Sequence, residues 1–554
     1  MFSSCIARLL KDPSTLNRVC SQCMRYNLPV LSSQAPTFVV PRKNFGDSKK
    51  TDEVSTEISE AQEKRLSNEA VTGSFKLDTF SSLNTSDVSE TNFYTFRTHT
   101  CGELRIEDVG KTVVLCGWYE FSRFSRFITL RDGYGSTQII IPKNDPQTNN
   151  VNLKNIPFES ILLCHGIVHA RPNDQINDSL ETGLIEVVVN KLEVLNLVKT
   201  SIPFQIRNFN KANESIRLKH RYVDLRFPEM QRNLRLRSSV LMKMREFLIN
   251  SRNFVEVETP TLFKKTPGGA QEFIVPTHDK GKCYSLVQSP QQLKQMLMVG
   301  SIDRYFQIAK CYRDEATRPD RQPEFTQLDI EMSFTDQNGV LRLVEELLSF
   351  IWPKELGEIK TPFPRMSYDE AMKNYGSDKP DMRNQAAESS DTPQETDNAN
   401  RWRFIWIVDF PLFEQDSETG SIQSVHHPFT QPQEQITDDN LLKVKGYHYD
   451  LVLNGCEVGG GSIRIHDADL QTRVIESILK IPIHNMSHLI EALKSGCPPH
   501  GGIALGIDRL MSILCSTNSI RDVIAFPKTF EGKDLLTGAP SEISAEDIER
   551  YLKF

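Results

Sequence analysis

Two alternating segments joined by a short polar loop restrict the possible folds most. Residues 304–315 read Arg-Tyr-Phe-Gln-Ile-Ala-Lys-Cys-Tyr-Arg-Asp-Glu, and residues 324–334 read Glu-Phe-Thr-Gln-Leu-Asp-Ile-Glu-Met-Ser-Phe. In the second, a period of two separates Thr326, Leu328, Ile330 and Met332 from Phe325, Gln327, Asp329 and Glu331. That is the pattern of a strand with one apolar face packed on something. In the first, Arg313 and Glu315 share a face. A sheet face open to water alternates in the same way. Such a face would have to place Arg313, Glu315, Arg318, Arg321 and Gln322 around one hairpin, a density of guanidinium groups that suits an anion site better.

The rest of the chain divides by composition. At 554 residues it exceeds what one hydrophobic core holds, so two or more domains are expected. No apolar run approaches the roughly 18 residues of a membrane span, so no membrane association is expected. A net charge of −7 does not advertise nucleic-acid binding, although a local basic face remains open. The 11 cysteines are scattered and odd in number, which fits a reducing compartment. Cys20 and Cys23 form a Cys-x-x-Cys without a second pair, so no zinc is expected.

Residues 1–50 carry Arg8, Lys11, Arg18, Arg25, Arg42 and Lys43 against only Asp12 and Asp47, with Ile6, Leu9 and Leu10 as an apolar patch. This composition predicts an organellar transit peptide, with a disordered basic tail as the alternative. Residues 51–95 form a polar, acidic linker. Over 96–198, five short strands (112–118, 127–131, 137–141, 161–169 and 184–189) predict a small barrel of the oligonucleotide-binding kind, or a generic small β-domain. Residues 199–232 form a basic connector with Arg217, Lys219, His220, Arg221 and Arg226. Residues 233–554 contain helices at 234–254 and 340–351, and a low-complexity insert at 384–400 expected to be disordered.

The hairpin resembles motif 2 (304–334) of the class II aminoacyl-tRNA synthetases: Arg-x-Glu, a loop, and a returning strand beginning near a Phe. Gly506-Ile-Asp-Arg509 opening an apolar helix resembles motif 3 (501–515), and Phe254-Val-Glu-Val-Glu-Thr-Pro-Thr-Leu262 after a long helix resembles motif 1 (254–262). Five further segments are similar to the bacterial-type aspartyl subclass: Ser289-Pro-Gln-Gln-Leu-Lys-Gln295, Arg321-Gln-Pro-Glu-Phe-Thr-Gln327, His426-His-Pro-Phe-Thr430, Glu457-Val-Gly-Gly-Gly-Ser-Ile-Arg464 and Arg521-Asp-Val-Ile-Ala-Phe-Pro-Lys528. Asparaginyl- and lysyl-tRNA synthetases share the barrel and the three motifs, and a non-catalytic tRNA-binding paralogue is the alternative from another class. Two departures from the subclass stand out. The insert at 384–400 replaces a sizeable domain, and Gly268 stands where bacterial relatives carry a Glu that contacts the amino acid.

The resemblance implies an α+β architecture: an N-terminal OB-fold barrel that binds the anticodon, then a catalytic domain on an antiparallel sheet flanked by helices. It implies two steps, formation of aspartyl-adenylate from L-aspartate and ATP and transfer to tRNA(Asp), with a homodimer in the mitochondrial matrix as the working form. Arg313 would grip the α-phosphate and the substrate carboxylate, Arg509 would sit on the γ-phosphate side, and Glu315, which with Gln322 would read the adenine edge, completes the catalytic set. Asp314, Gln322, Phe325, Gly506, Ile507 and Asp508 would complete the ATP site, and Glu457 would hold Mg2+. The glycines at 459–461 are not a phosphate loop, since no Gly-Lys-Ser/Thr follows; a solvated turn acid is the alternative for Glu457. Gln291, Lys294, Asp329, His426, His427 and Arg464 would hold aspartate, Lys294 and Arg464 as cations awaiting its side-chain carboxylate. Phe127 would stack on an anticodon base, or lie in the barrel core, beside Arg131, Gln138, Arg171 and Glu186 as base-edge readers.

Overall fold

A computed structural model describes residues 88–143, 153–206, 211–266, 269–315, 320–383 and 401–552. The expected transit segment, the linker up to residue 87, Arg318, Gly268 and the insert at 384–400 lie outside the described residues. No helix among the described residues is long and apolar enough to cross a membrane.

The first folded part is a closed five-stranded barrel of β1 (Thr112–Arg123), β2 (Phe127–Arg131), β3 (Ser136–Ile140), β4 (Ile161–Ala170) and β5 (Ile185–Asn196), in the order β1-β2-β3-β5-β4. Alternate residues point inward, so Val113, Leu115, Ile128, Leu130, Ile139, Leu162 and Val187 fill the interior. Closure requires one parallel pair, β3 on β5, among antiparallel neighbours.

The catalytic part is an eight-stranded sheet. Its strands are β6 (Val255–Glu256), β7 (Arg304–Tyr312), β8 (Glu324–Ser333), β9 (Arg365–Ser367), β10 (Phe404–Val408), β11 (His448–Leu453), β12 (Cys456–Ile463) and β13 (His500–Gly506), in the order β9-β10-β11-β12-β13-β8-β7-β6. The expected antiparallel sheet is therefore mixed. Its six central strands are antiparallel, but the outermost pair at each edge, β6 on β7 and β9 on β10, is parallel. A parallel neighbour needs a long crossover, and the chain supplies one between β6 and β7 and another between β9 and β10.

The helices follow from amphipathic patterning. α1 (Pro228–Arg245) starts with proline in its first turn, where the missing N–H costs nothing. α2 (Gln291–Val299) buries Gln292, Lys294, Gln295 and Met298. α3 (Gln337–Ile351) is capped by Asp336, which accepts from the Gly339 N–H at 2.8 Å. It places Val340, Leu341, Val344, Leu347, Leu348 and Ile351 against the apolar face of β8, where Leu328 and Ile330 are wholly buried. α4 (Ile507–Leu514) adds Ile507, Leu510 and Met511 to the same core. Each such side chain contributes about 1.5–3 kcal/mol by leaving water.

The basic connector is structural. Arg221, 2% exposed, pairs with Asp224 and donates to the carbonyls of Arg521, Ile524 and Ala525. Arg217 bridges Asp224 at 2.7 Å and Asp522 at 3.1 Å. On the barrel side, Arg226 pairs with Glu159 at 2.9 Å, and the Arg235 guanidinium lies 3.9 Å from the Tyr134 ring centre.

Candidate active site

The polar faces of β8, β12 and β13, the start of α2 and the loop bearing His426 and His427 enclose a cavity of about 500 Å3. Of the residues expected to bind ATP or aspartate, this cavity brings together Gln291, Lys294, Arg313, Glu315, Gln322, Phe325, Asp329, His426, His427, Glu457, Arg464, Gly506, Asp508 and Arg509. Two fall outside it. Ile507 is buried in the core beneath the sheet, and Asp314 uses its backbone N–H on the Gln271 carbonyl at 2.8 Å.

At the closed end the charges are buried and balanced. The Lys294 ammonium lies 2.5 Å from Asp329 Oδ1 and 3.1 Å from Glu331 Oε2. Arg464 forks onto Glu331 through Nε at 3.0 Å and Nη2 at 3.2 Å. Its Nη1 meets Ser462 Oγ at 2.6 Å and His427 Nε2 at 2.5 Å. The two cations are thus paired rather than awaiting a carboxylate, because an uncompensated buried charge costs far more than a paired one. One acceptor is left over: Asp329 Oδ2 is buried with no hydrogen-bond partner. Burial alone would raise the Glu331 carboxyl, but Arg464 and Lys294 outweigh it and hold it down at about 2. Burial, with help from Arg464 and Lys294, drives His427 well below the ordinary imidazole range, so it is a neutral acceptor for Arg464. His426 is exposed, and it stacks on His448 with ring centres 4.0 Å apart.

The other end is cationic and aromatic. The Arg313 guanidinium lies 5.1 Å from the Phe325 ring centre, and its buried Nε has no partner. Arg509 donates to the Glu457 carbonyl at 3.1 Å and pairs with Asp320 at 3.1 Å, while Glu315 pairs with Arg321 at 3.0 Å. Two expected contacts are redirected. Gln322 exchanges hydrogen bonds with the Lys528 backbone, donating at 3.1 Å and accepting at 2.7 Å, so its amide anchors the wall instead of reading a base edge. Asp508 accepts from Arg237 at 2.6 Å and from the Thr326 N–H at 3.1 Å, which ties α4 to α1 and β8.

Three residues absent from the expected set belong to this site. Glu331 lies on the polar face of β8 that period-two alternation already marks. Asp450, opposite Gly460 on the neighbouring strand, accepts from His448 Nε2 at 2.9 Å. A Cβ built on Gly460 would stand 2.5 Å from Asp450 Oδ1 and 3.9 Å from Glu457 Oε1, so glycine there makes room for two carboxylates. A His-x-Asp in an otherwise apolar strand was the available signal. Lys379 pairs with Glu457 Oε2 at 2.9 Å. Asp450 and Glu457 form a hard-oxygen donor set of the kind that suits a Mg2+ ion retaining water and phosphate ligands.

On the barrel, Phe127, Gln138 and Glu186 share an outward face. Gln138 donates to Glu186 at 2.9 Å, and the Arg126 guanidinium lies 5.4 Å from the Phe127 ring centre. Arg171 is mostly buried, with Nε on the Ile185 carbonyl at 2.8 Å. Arg131 is a correction. It is 4% exposed, paired with Glu159 at 2.6 Å and donating to the Arg226 carbonyl at 3.2 Å, so it fastens the barrel to the connector and is closed to a base.

The mixed sheet with its six antiparallel central strands, the arginine-bearing hairpin and the glycine-opened helix α4 together define a class II synthetase, and residues 213–530 match the family described as tRNA synthetases class II (D, K and N). Among curated proteins, the mitochondrial aspartate–tRNA ligase of Mus musculus is 41% identical, covering 85% of this chain and 91% of that protein. The Homo sapiens enzyme is 40% identical (84% and 91%), and an aspartate–tRNA(Asp/Asn) ligase of Dictyoglomus turgidum is 37% identical (82% and 97%). The chain belongs to the aspartate–tRNA ligase family. The mouse alignment runs over 597 positions, more than the 554 residues here, so that relative carries residues with no counterpart in this chain. Solved structures share the fold. An aspartyl-tRNA synthetase from Entamoeba histolytica has a TM-score of 0.61 at 22% identity, covering 79% of this chain and 94% of that one. Asparaginyl-tRNA synthetase from Pyrococcus horikoshii, complexed with asparaginyl-adenylate, has a TM-score of 0.61 at 23% identity, covering 78% and 98%.

Proposed function

We propose that this chain attaches L-aspartate to tRNA(Asp) at the expense of ATP, through aspartyl-adenylate, for translation in the mitochondrial matrix, and that it works as a homodimer. The observation that carries the proposal is the balanced quartet of Lys294, Asp329, Glu331 and Arg464 at one end of the cavity that holds Arg313 and Arg509.

An amino acid with an ionised side chain fits that quartet. Its ammonium group would satisfy the orphaned Asp329 Oδ2. Its side-chain carboxylate would accept from Lys294 and from Arg464 Nη1, taking the position now held by His427 Nε2. Asparagine would bring a donor-bearing amide to a place that offers only donors, which disfavours it. The α-carboxylate would then face Arg313 and the α-phosphate. It is ionised at neutral pH, so adenylate formation needs alignment and charge neutralisation and no general base. Adenine would stack on Phe325, whose other partner is Arg313. Glu457 and Asp450 would hold Mg2+, which would supply positive charge against the phosphates. The barrel would act as an OB-fold anticodon-binding domain, offering Phe127 as the stacking surface and Gln138, Glu186 and Arg171 near it.

ATP–pyrophosphate exchange across all amino acids tests the proposal. Exchange should depend on aspartate, and charging should follow with mitochondrial tRNA(Asp). Exchange driven by asparagine or lysine in preference to aspartate would overturn it.

A further inference from the structure

Lys379 lies in a segment that crosses the tip of the β11–β12 hairpin. The turn is set by Gly376, which ends the preceding helix at φ 65°, and by Ser377 Oγ, which accepts from the Lys379 N–H at 3.0 Å. Two residues on, Asp381 packs against Gly455 at the hairpin turn: a Cβ on that glycine would stand 3.2 Å from the Asp381 Cβ. The backbone is therefore fixed by a turn before Lys379 and by the hairpin after it, and the ammonium arrives 2.9 Å from Glu457 Oε2. Pairing is only partial, since the side chain keeps 38% of its surface exposed and an ammonium has three donors.

Glu457 and Asp450 place two carboxylates around Gly460. His448 answers Asp450, and the nearest Arg509 nitrogen is 3.9 Å from Glu457 Oε2. Lys379 is accordingly the closest full positive charge to Glu457 among the described residues.

We propose that Lys379 is the resident counter-cation of the Glu457–Asp450 pair. It occupies Glu457 before a divalent cation arrives, gives it up when the cation binds, and then turns its freed ammonium to the polyphosphate. It competes with the metal for Glu457 and is a binding residue for the pyrophosphate that leaves. This inference rests on the proposal that Glu457 and Asp450 hold a metal ion.

The test uses the full chain with Mn2+ as the probe. Direct Mn2+ titration by electron paramagnetic resonance, without nucleotide, compares wild type with Lys379→Met, Lys379→Arg and Glu457→Gln; the KM for pyrophosphate is measured in the reverse direction. Removing the competing cation should tighten Mn2+ binding by roughly three- to tenfold in Lys379→Met, while the KM for pyrophosphate rises by a similar factor. Lys379→Arg should restore both towards wild type. Unchanged or weaker Mn2+ binding in Lys379→Met, with Glu457→Gln abolishing it, would overturn the role of Lys379 and leave the metal site standing. Full Mn2+ binding by Glu457→Gln would overturn the metal site and the role of Lys379 together. A loss of thermal stability in Lys379→Met with Mn2+ and pyrophosphate affinities unmoved would make the pair a structural salt bridge and also overturn the inference.

Discussion

Replacing Arg464 by glutamine separates recognition of the substrate carboxylate from maintenance of the pocket. All five N–H donors of this guanidinium are engaged, on Glu331, Gly502, Ser462 and His427. Arg464→Gln leaves Glu331 fully buried with Lys294 as its only ion-pair partner among the described residues, and that cation is shared with Asp329. Removing one partner of a buried pair costs about 3–5 kcal/mol of folding stability. Losing the partner of the substrate carboxylate costs about 2–5 kcal/mol in the transition state, which lowers kcat/KM for aspartate by roughly 30- to 5,000-fold. ATP affinity should change far less, because Arg313 and Arg509 are untouched. The double variant Glu331→Gln/Arg464→Gln removes the stranded carboxylate as well. It should recover much of the stability and none of the aspartate kinetics. The assays are urea unfolding for both variants, and steady-state exchange kinetics with aspartate and asparagine beside an ATP titration. Wild-type aspartate kinetics in the single variant, or their return in the double variant, would refute a direct role for Arg464 in binding the substrate.

Motif 1, which resembles the family's dimer element, predicts a dimer, so sedimentation at micromolar concentration should give twice the chain mass; a fully active monomer would contradict this. Phe325→Leu removes the aromatic face expected under adenine, and since stacking contributes about 1–3 kcal/mol per base, the KM for ATP should rise about 5- to 150-fold with the KM for aspartate little changed. His500 is wholly buried and is held below its ordinary range chiefly by burial, against the pull of Glu331. Below about pH 6.5 the unfolded chain takes up a proton that folded His500 refuses, so stability should decline as pH falls from 7 to 5.5, by up to about 1.4 kcal/mol per pH unit from this group. Urea unfolding across that range should show a shallower decline in His500→Gln, and an identical slope would remove His500 as the cause.

How much was legible in the sequence depended on how far a local period reaches. Alternation in β8 displays Asp329 and Glu331 on one face, and the structure gathers both with Lys294 and Arg464. The resemblance misjudges Arg131, because a matching position does not fix where a long side chain ends; at the end of β2 its guanidinium turns to Glu159 and the connector. Asp450 sits in a strand whose other members are mostly apolar. Its meaning comes from register with Gly460, which only sheet pairing reveals. Lys379 reaches Glu457 through a crossing of segments distant in the chain, beyond any local pattern. The edges of the sheet were misjudged for a related reason: strand direction there is decided by the crossovers that lead to β7 and β10, not by residues within the strands.

The fastening of the barrel to the rest of the molecule bears on how such a protein can diverge. Glu159 and Tyr134 of the barrel are gripped by Arg226 and Arg235, while Arg217 and Arg221 are bound to the chain just beyond α4. A transplanted barrel lacking that carboxylate and that ring would leave half-buried Arg226 without its ion pair and Arg235 without the ring it lies on. Exchange of the two parts by recombination is therefore penalised, and they are expected to be inherited as a unit, each correcting for changes in the other.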